Sequence, residues 1–270
     1  MTAAVLHAGW NLVAKRAEGD RYMVLWAQFT AGGLVALPLM VGNHLLFGMS
    51  WQGYAWAALS GASHMPYTWL LAKAYTHGDF SVSYPVARGG GAALAAIGGV
   101  LFLADHLTVL EVAGIAVVVV GLSVLARGAS GANLLMALAV AVTIGVYTVL
   151  DAKGARTTGT VAYIFATMVG SAVSNTVFSL ATGRRHDMAA LMRGNWRRAL
   201  VTGVASLVTY GLVLVAVQHA PVGYVTALRE SSVVLAALAG WKLLGEGDHR
   251  RRMAAALIVF AGLLTLVLGR

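Results

Sequence analysis

Residues 81–103, SVSYPVARGGGAALAAIGGVLFL, make an apolar stretch long enough to cross a bilayer, yet Arg88 stands well inside its first half. A guanidinium in hydrocarbon costs several kcal/mol unless it faces a wet or paired interior. The chain must therefore fold so that Arg88 turns inward. The same design recurs 141 positions later, where residues 222–244 are again apolar and Arg229 takes the place of Arg88. At that offset Asp105 maps onto Glu246, each just past the end of its segment, and Gly121-Leu122 maps onto Gly262-Leu263. A doubled sequence feature implies a doubled structure.

Only 11% of the 270 residues are charged and the mean hydropathy is +0.77, against about 25% charged residues in soluble domains. Lipid is the expected solvent. Cutting at charge, glycine and proline clusters gives ten apolar segments, roughly 1–14, 22–46, 52–75, 81–103, 109–126, 132–151, 160–182, 197–218, 222–245 and 251–269. A helical span needs about 20 residues, so the expected fold is an all-α integral membrane protein of ten transmembrane helices. The longest polar connection, residues 183–198, reads as a cytoplasmic loop with some amphipathic character. Segment 1–14 is a misfit, because it gives about 21 Å of helix for a core of about 30 Å. A short helix and a start further upstream both fit. Lacking a basic leader and a small-residue cleavage site, it reads as a span and not as a removable signal.

On the ten-span layout, 13 Lys and Arg residues between Lys15 and Arg252 fall on the loops of one side, and Lys153, Arg156 and Arg270 on the other. Positive residues concentrate in the cytoplasm, which predicts non-cytoplasmic termini in an inner (cell) membrane. The net charge of +9 thus serves topology, and no nucleic-acid partner is implied. Five spans per half is an odd number, so the halves, 1–127 and 131–270, must insert in opposite orientation. Inverted repeats of this kind build many secondary transporters, with substrate held near the midplane where the repeats meet.

Several chemistries have no footing. Without cysteine there is no disulfide framework, thiolate metal site or cysteine nucleophile. Gly89-Gly90-Gly91 lacks the GxxxxGK[ST] context of a phosphate loop and reads as close helix packing or a hinge. No HExxH occurs, and no serine, histidine and acid stand in a hydrolase motif order. No metal, cofactor or enzymatic activity is expected.

Four stretches, HAGWNLVAK at 7–15, SYPVARGG at 83–90, YTVLDAKGAR at 147–156 and TALRESSVVLAALAGWKLLGE at 226–246, together with the five-plus-five layout, resemble the EamA-type family of the drug/metabolite transporter superfamily. LADHLT at 103–108 departs from the LGE-like turn usual there, which touches a structural detail only. The resemblance implies a ten-helix inverted-repeat carrier that exports or exchanges small metabolites without ATP hydrolysis. It does not carry a substrate with it.

Arg88 and Arg229 are the leading substrate-binding candidates, since a guanidinium grips a carboxylate or phosphate with two parallel hydrogen bonds. The alternative for each is a brace between helices. Glu230 adjoins Arg229, but adjacent helical residues diverge, and its repeat counterpart Gly89 leaves room for Glu230 to reach towards Arg88. It is the candidate for proton coupling, against a permanent ion pair. His7, Trp10 and Asn11 share one helical face, as do Tyr147 and Asp151. Polar groups on one face of a membrane helix point into the bundle, as glue or as path lining. Asp151, near the end of its segment, reads as a cap or loop residue. His64, Pro66 and Tyr67 lie on the third segment and Tyr210 on its repeat partner, the proline offering a kink for a gate. Tyr84 completes the set beside Arg88. Trp51, Trp56, Trp196 and Trp241 read as interface anchors.

The expectation is a secondary transporter working by alternating access on amino acids or similar small organic anions, as a monomer or homodimer, with the lipid bilayer, the small-molecule substrate and protons as partners. A lipid-linked sugar flippase and a non-transporting membrane scaffold are the rivals.

Overall fold

The computed structural model describes residues 9, 11, 12, 15, 19–126, 131–158, 160–229, 232–245 and 248–269. His7, Trp10 and Glu230, and most of segment 1–14, lie outside them. Ten helices are described: α1 Arg21–Phe47, α2 Trp51–His77, α3 Phe80–Leu103, α4 Val109–Ala126, α5 Gly131–Thr157, α6 Thr160–Ala181, α7 Arg185–His219, α8 Val222–Arg229, α9 Ser232–Leu244 and α10 His249–Leu268. Among the described residues there is no strand.

Six of these helices, α1, α3, α5, α6, α7 and α10, are long and apolar enough to cross a membrane, and α4 is a shorter apolar helix. Large apolar side chains such as Leu34, Phe102, Val119, Val173 and Val201 are more than half exposed on the outside of the bundle, a surface that suits lipid and not water. The chain is a multi-pass membrane protein. The ten-segment reading meets the described helices in part. α2 has a span's length, 27 residues, but not the hydropathy of the six, because its inward face is polar. Segment 222–245 is described as two helical stretches, α8 and α9, on either side of residues 230–231.

The connection 183–198 is a correction: it is helical from Arg185, and α7 runs for 35 residues with a break at Asn195 (φ −128°, ψ 17°). The polar turns of 185–194 form a short helix of their own, set off from the apolar span by that kink.

Local chemistry fixes the helix ends. Asp20 accepts the Tyr22 N–H at 2.9 Å and Ser50 the Gly53 N–H at 3.3 Å, satisfying donors that a helix start leaves orphaned. In the LADHLT turn, Thr108 N donates to Glu111 at 2.6 Å and Glu111 N to Thr108 Oγ1 at 3.3 Å, a reciprocal capping box that starts α4.

Without a hydrophobic force between helices in lipid, small residues let backbones approach. The main contacts pair α1 with α6 and α7, α2 with α5 and α6, α3 with α5, α8 and α9, and α4 with α10. A Cβ on Gly91 would sit 2.5 Å from Ile144, and one on Gly90 3.1 Å from Ala141, so the glycine run of α3 clears a path for α5. The α4/α10 contact is reciprocal at the 141-residue offset. A Cβ on Gly262 would lie 2.7 Å from Val118 N, and one on Gly121 2.8 Å from Val259 N. Gly262 against Gly114 O (2.7 Å) is likewise mirrored by Gly121 against Ala255 O (3.1 Å).

Candidate functional site

The site starts from the helix that is too polar for lipid. Ser60, His64 and Thr68 of α2 recur every fourth residue and are buried, so they form a stripe on one face. His64 and Thr68 bond back along their own helix: His64 Nδ1 lies 2.8 Å from Ser60 O and Thr68 Oγ1 2.6 Å from His64 O. A carbonyl only accepts, so Nδ1 carries a proton.

The His64 ring is the hub of an aromatic cluster. It stacks on Tyr147 of α5 (centroids 4.4 Å, 28°) and meets Tyr67 of α2, Tyr210 of α7 and Phe29 of α1 edge-on at 6.1, 5.7 and 6.1 Å. Tyr67 and Tyr147 are also edge-on, 5.3 Å apart. Offset and edge-on rings attract through their quadrupoles, which holds four helices in register here.

These rings and Arg229 wall a buried cavity of about 30 Å³, completed by Thr167, Met168 and Ser171 of α6 and Ser206, Thr209 and Val213 of α7. That volume holds about one water. Tyr210 Oη and Thr209 Oγ1, both buried, make no hydrogen bond among the described residues.

Of the residues singled out from sequence, His64, Tyr67, Tyr147, Tyr210 and Arg229 meet at this cavity. Arg229 is 6% exposed and Arg88 2%. Arg88 does not line the cavity, but its charge and that of Arg229 both act on Tyr67. Tyr84 stands one remove away, its hydroxyl donating to Ser232 Oγ at 2.9 Å and tying α3 to α9. Asn11 is buried and accepts from the Tyr75 hydroxyl at 2.7 Å, joining the first segment to α2. His7, Trp10 and Glu230 lie outside the described residues.

Two features were missed. Tyr163, Thr167, Ser171, Asn175 and Ser179 recur every fourth residue along α6 and are all buried, a stripe as regular as that of α2. The spacing was the available signal. The second is Asp151. The sequence reading made it a cap, but α5 continues to Thr157 and Asp151 is 2% exposed. Tyr163 donates to its Oδ1 at 3.2 Å.

Both ends of the bundle are tied. At one, Arg156 donates to Asp105 at 2.9 Å and to Val217 O at 3.2 Å, and Asp105 accepts the Val222 N–H at 3.3 Å. This joins the ends of α3, α5, α7 and α8. At the other, Arg252 of α10 pairs with Asp79 and donates to Ser81 Oγ at 2.7 Å, while Lys15 caps the carbonyls of Tyr75 and Gly78 at 2.8 and 2.6 Å.

Fold and site together define a helical membrane protein with a small, arginine-bearing aromatic cavity between its helices. The sequence profile of the EamA-like transporter family matches residues 132–268, and the chain belongs to that family, within the drug/metabolite transporter superfamily. No curated protein sequence matches it. A solved crystal structure superposes with a TM-score of 0.69 at 16% identity, covering 99% of this chain and 94% of the other, which shows a shared fold.

Proposed function

We propose that the protein is an inner-membrane secondary carrier that exports or exchanges small organic anions, amino acids among them, by alternating access. The observation that carries this reading is the cavity: a buried arginine and an aromatic cluster drawn from four helices, in a member of a transporter family. Arg229 grips the anionic group through its paired N–H donors, and Arg88 adds a second positive charge to the same neighbourhood. Tyr210 and Thr209 supply hydroxyls, and His64, Tyr147 and Phe29 supply apolar walls.

The carrier is built as two inverted five-helix repeats, ten spans in all, with both termini non-cytoplasmic. Support comes from the reciprocal α4/α10 contacts at the 141-residue offset, and from α2 meeting α6 as α7 meets α1. A cavity of about 30 Å³ with both ends tied corresponds to the closed form. Rocking of the halves breaks the Asp105 ties or the Asp79 ties in turn.

The test is a flux screen. The full chain is reconstituted into liposomes loaded with a mixed metabolite pool, and exported species are identified by mass spectrometry for wild type, Arg88→Ala, Arg229→Ala and Glu230→Gln. Selective loss of anionic species in the arginine variants supports the reading. Identical profiles throughout remove the site.

A further inference from the structure

One turn from the cavity, α2 and α5 present a second rung. Ser60 and Asp151 each precede or follow by four residues the His64 and Tyr147 that stack in the cavity, so they sit on the same two faces, displaced towards the Asp105 end. Tyr163, at the head of the polar stripe of α6, reaches Asp151 from the third side. It can do so because residue 154 is glycine: a Cβ there would run into the Tyr163 ring.

Asp151 does not have the surroundings of a structural carboxylate. It is 2% exposed, its polar neighbours are hydroxyls, Tyr163 donating to Oδ1 at 3.2 Å and Ser60 beside it, and among the described residues it has no ion pair. A structural carboxylate at this depth is held by several donors or a close cation. Among the described residues, these charged and titratable groups surround it. Tyr163 comes from α6, and Arg229 of α8 acts on its charge. His64 and Tyr67 of α2, Tyr147 of α5 and Tyr210 of α7 stand at the cavity, one helical turn away along α2 and α5.

We propose that Asp151 is the proton-carrying group of the transport cycle, binding a proton whenever an anionic substrate occupies the cavity. This deepens the carrier reading and rests on it for the coupling step. Arg229 and Tyr147 line the cavity and Asp151 stands one helical turn from Tyr147, so a bound anion and an ionised Asp151 would bring two negative charges close together. A proton taken from water on one side neutralises Asp151 and removes that repulsion from the substrate anion. Release of both on the other side restores the carboxylate. Substrate and proton thus favour each other's binding, and the coupling is reciprocal. No bond is made or broken except the O–H of the carboxyl, so no co-reactant is consumed.

Infrared difference spectra between acid and alkaline buffer, taken on the full chain in liposomes, read protonated carboxyl groups without any substrate. The wild type should show a carboxyl C=O band that Asp151→Asn lacks. Tyr163→Phe should keep the band and move its frequency, since the hydrogen bond to Oδ1 is gone. Superposable spectra of wild type and Asp151→Asn, or an unmoved band in Tyr163→Phe, overturn the proposal. In the same vesicles holding the mixed metabolite pool, a one-unit pH step drives accumulation up to about tenfold for one coupled proton. The ratio of driven to undriven uptake should fall to about one in Asp151→Asn, and an unchanged ratio overturns the coupling. Flux absent from every protein while the band titrates sinks the carrier reading alone and upholds the proton site.

Discussion

A single methyl group on either of two repeat-related glycines should measurably loosen the bundle. In Gly262→Ala the new Cβ would stand 2.7 Å from Gly114 O and from Val118 N, and in Gly121→Ala 2.7 Å from Val259 Cγ2 and 2.8 Å from Val259 N. Ordinary contact begins near 3.4 Å, so α4 and α10 must part by about 0.7 Å, and backbone atoms cannot swing aside as a side-chain tip can. Overpacking of this kind costs about 1–3 kcal/mol, or about 2–10 °C in a thermal midpoint for a chain of this size. Intrinsic propensity opposes this, since Gly→Ala in a helix gains about 1 kcal/mol. Gly42→Ala on α1 has nothing within 4 Å of the new Cβ and isolates that gain. Intrinsic tryptophan fluorescence during heating in detergent is the assay. Gly262→Ala and Gly121→Ala should fall by similar amounts while Gly42→Ala rises or stays level. The double variant should lose less than the sum, because one parting of the helices accommodates both methyl groups. If all three variants shift alike, the close-approach reasoning fails.

Three further outcomes follow from the geometry. Tyr210→Phe removes a buried hydroxyl that has no hydrogen-bond partner among the described residues, so the thermal midpoint should hold or rise slightly while flux falls. A variant that loses stability instead would assign the hydroxyl a structural bond. Tyr84→Phe deletes the 2.9 Å bond to Ser232 and should cost about 1 kcal/mol, read as a lowered midpoint. Arg156→Gln breaks an ion pair whose side chains are 26% and 13% exposed, worth about 0–1 kcal/mol. Its visible effect should be wider spin-label distances across the Asp105 end, with little change in melting.

The site was legible where polarity had to be explained. A guanidinium in an apolar segment can only face inward, and both Arg88 and Arg229 are buried. His64, Tyr67, Tyr147 and Tyr210 stood out for the same reason, and they meet around one cavity. Thr167, Ser171, Ser206 and Thr209 did not stand out, because a serine or threonine hydroxyl can bond its own helix four residues back and so reads as neutral in a membrane segment. Only the strict four-residue spacing on α6 marks a continuous polar face. Asp151 was misplaced because the segment was cut at its first charge. Lys153 and Arg156 ride on the last turns of α5, and a charge near a helix end need not end the helix. The connection 183–198, read as a loop with some amphipathic character, holds a short charged helix that a kink at Asn195 sets off from the apolar part of α7.

Exchange of anionic metabolites across liposomes by Arg229→Ala, set against Arg229→Lys and wild type, tests most directly whether the aromatic cavity is where substrate binds. Alanine removes both the charge and the paired donors, whereas lysine restores the charge alone. The account predicts anion exchange lost in the alanine variant and partly recovered in the lysine variant, with neutral species spared. Equal anion exchange in all three proteins would contradict it.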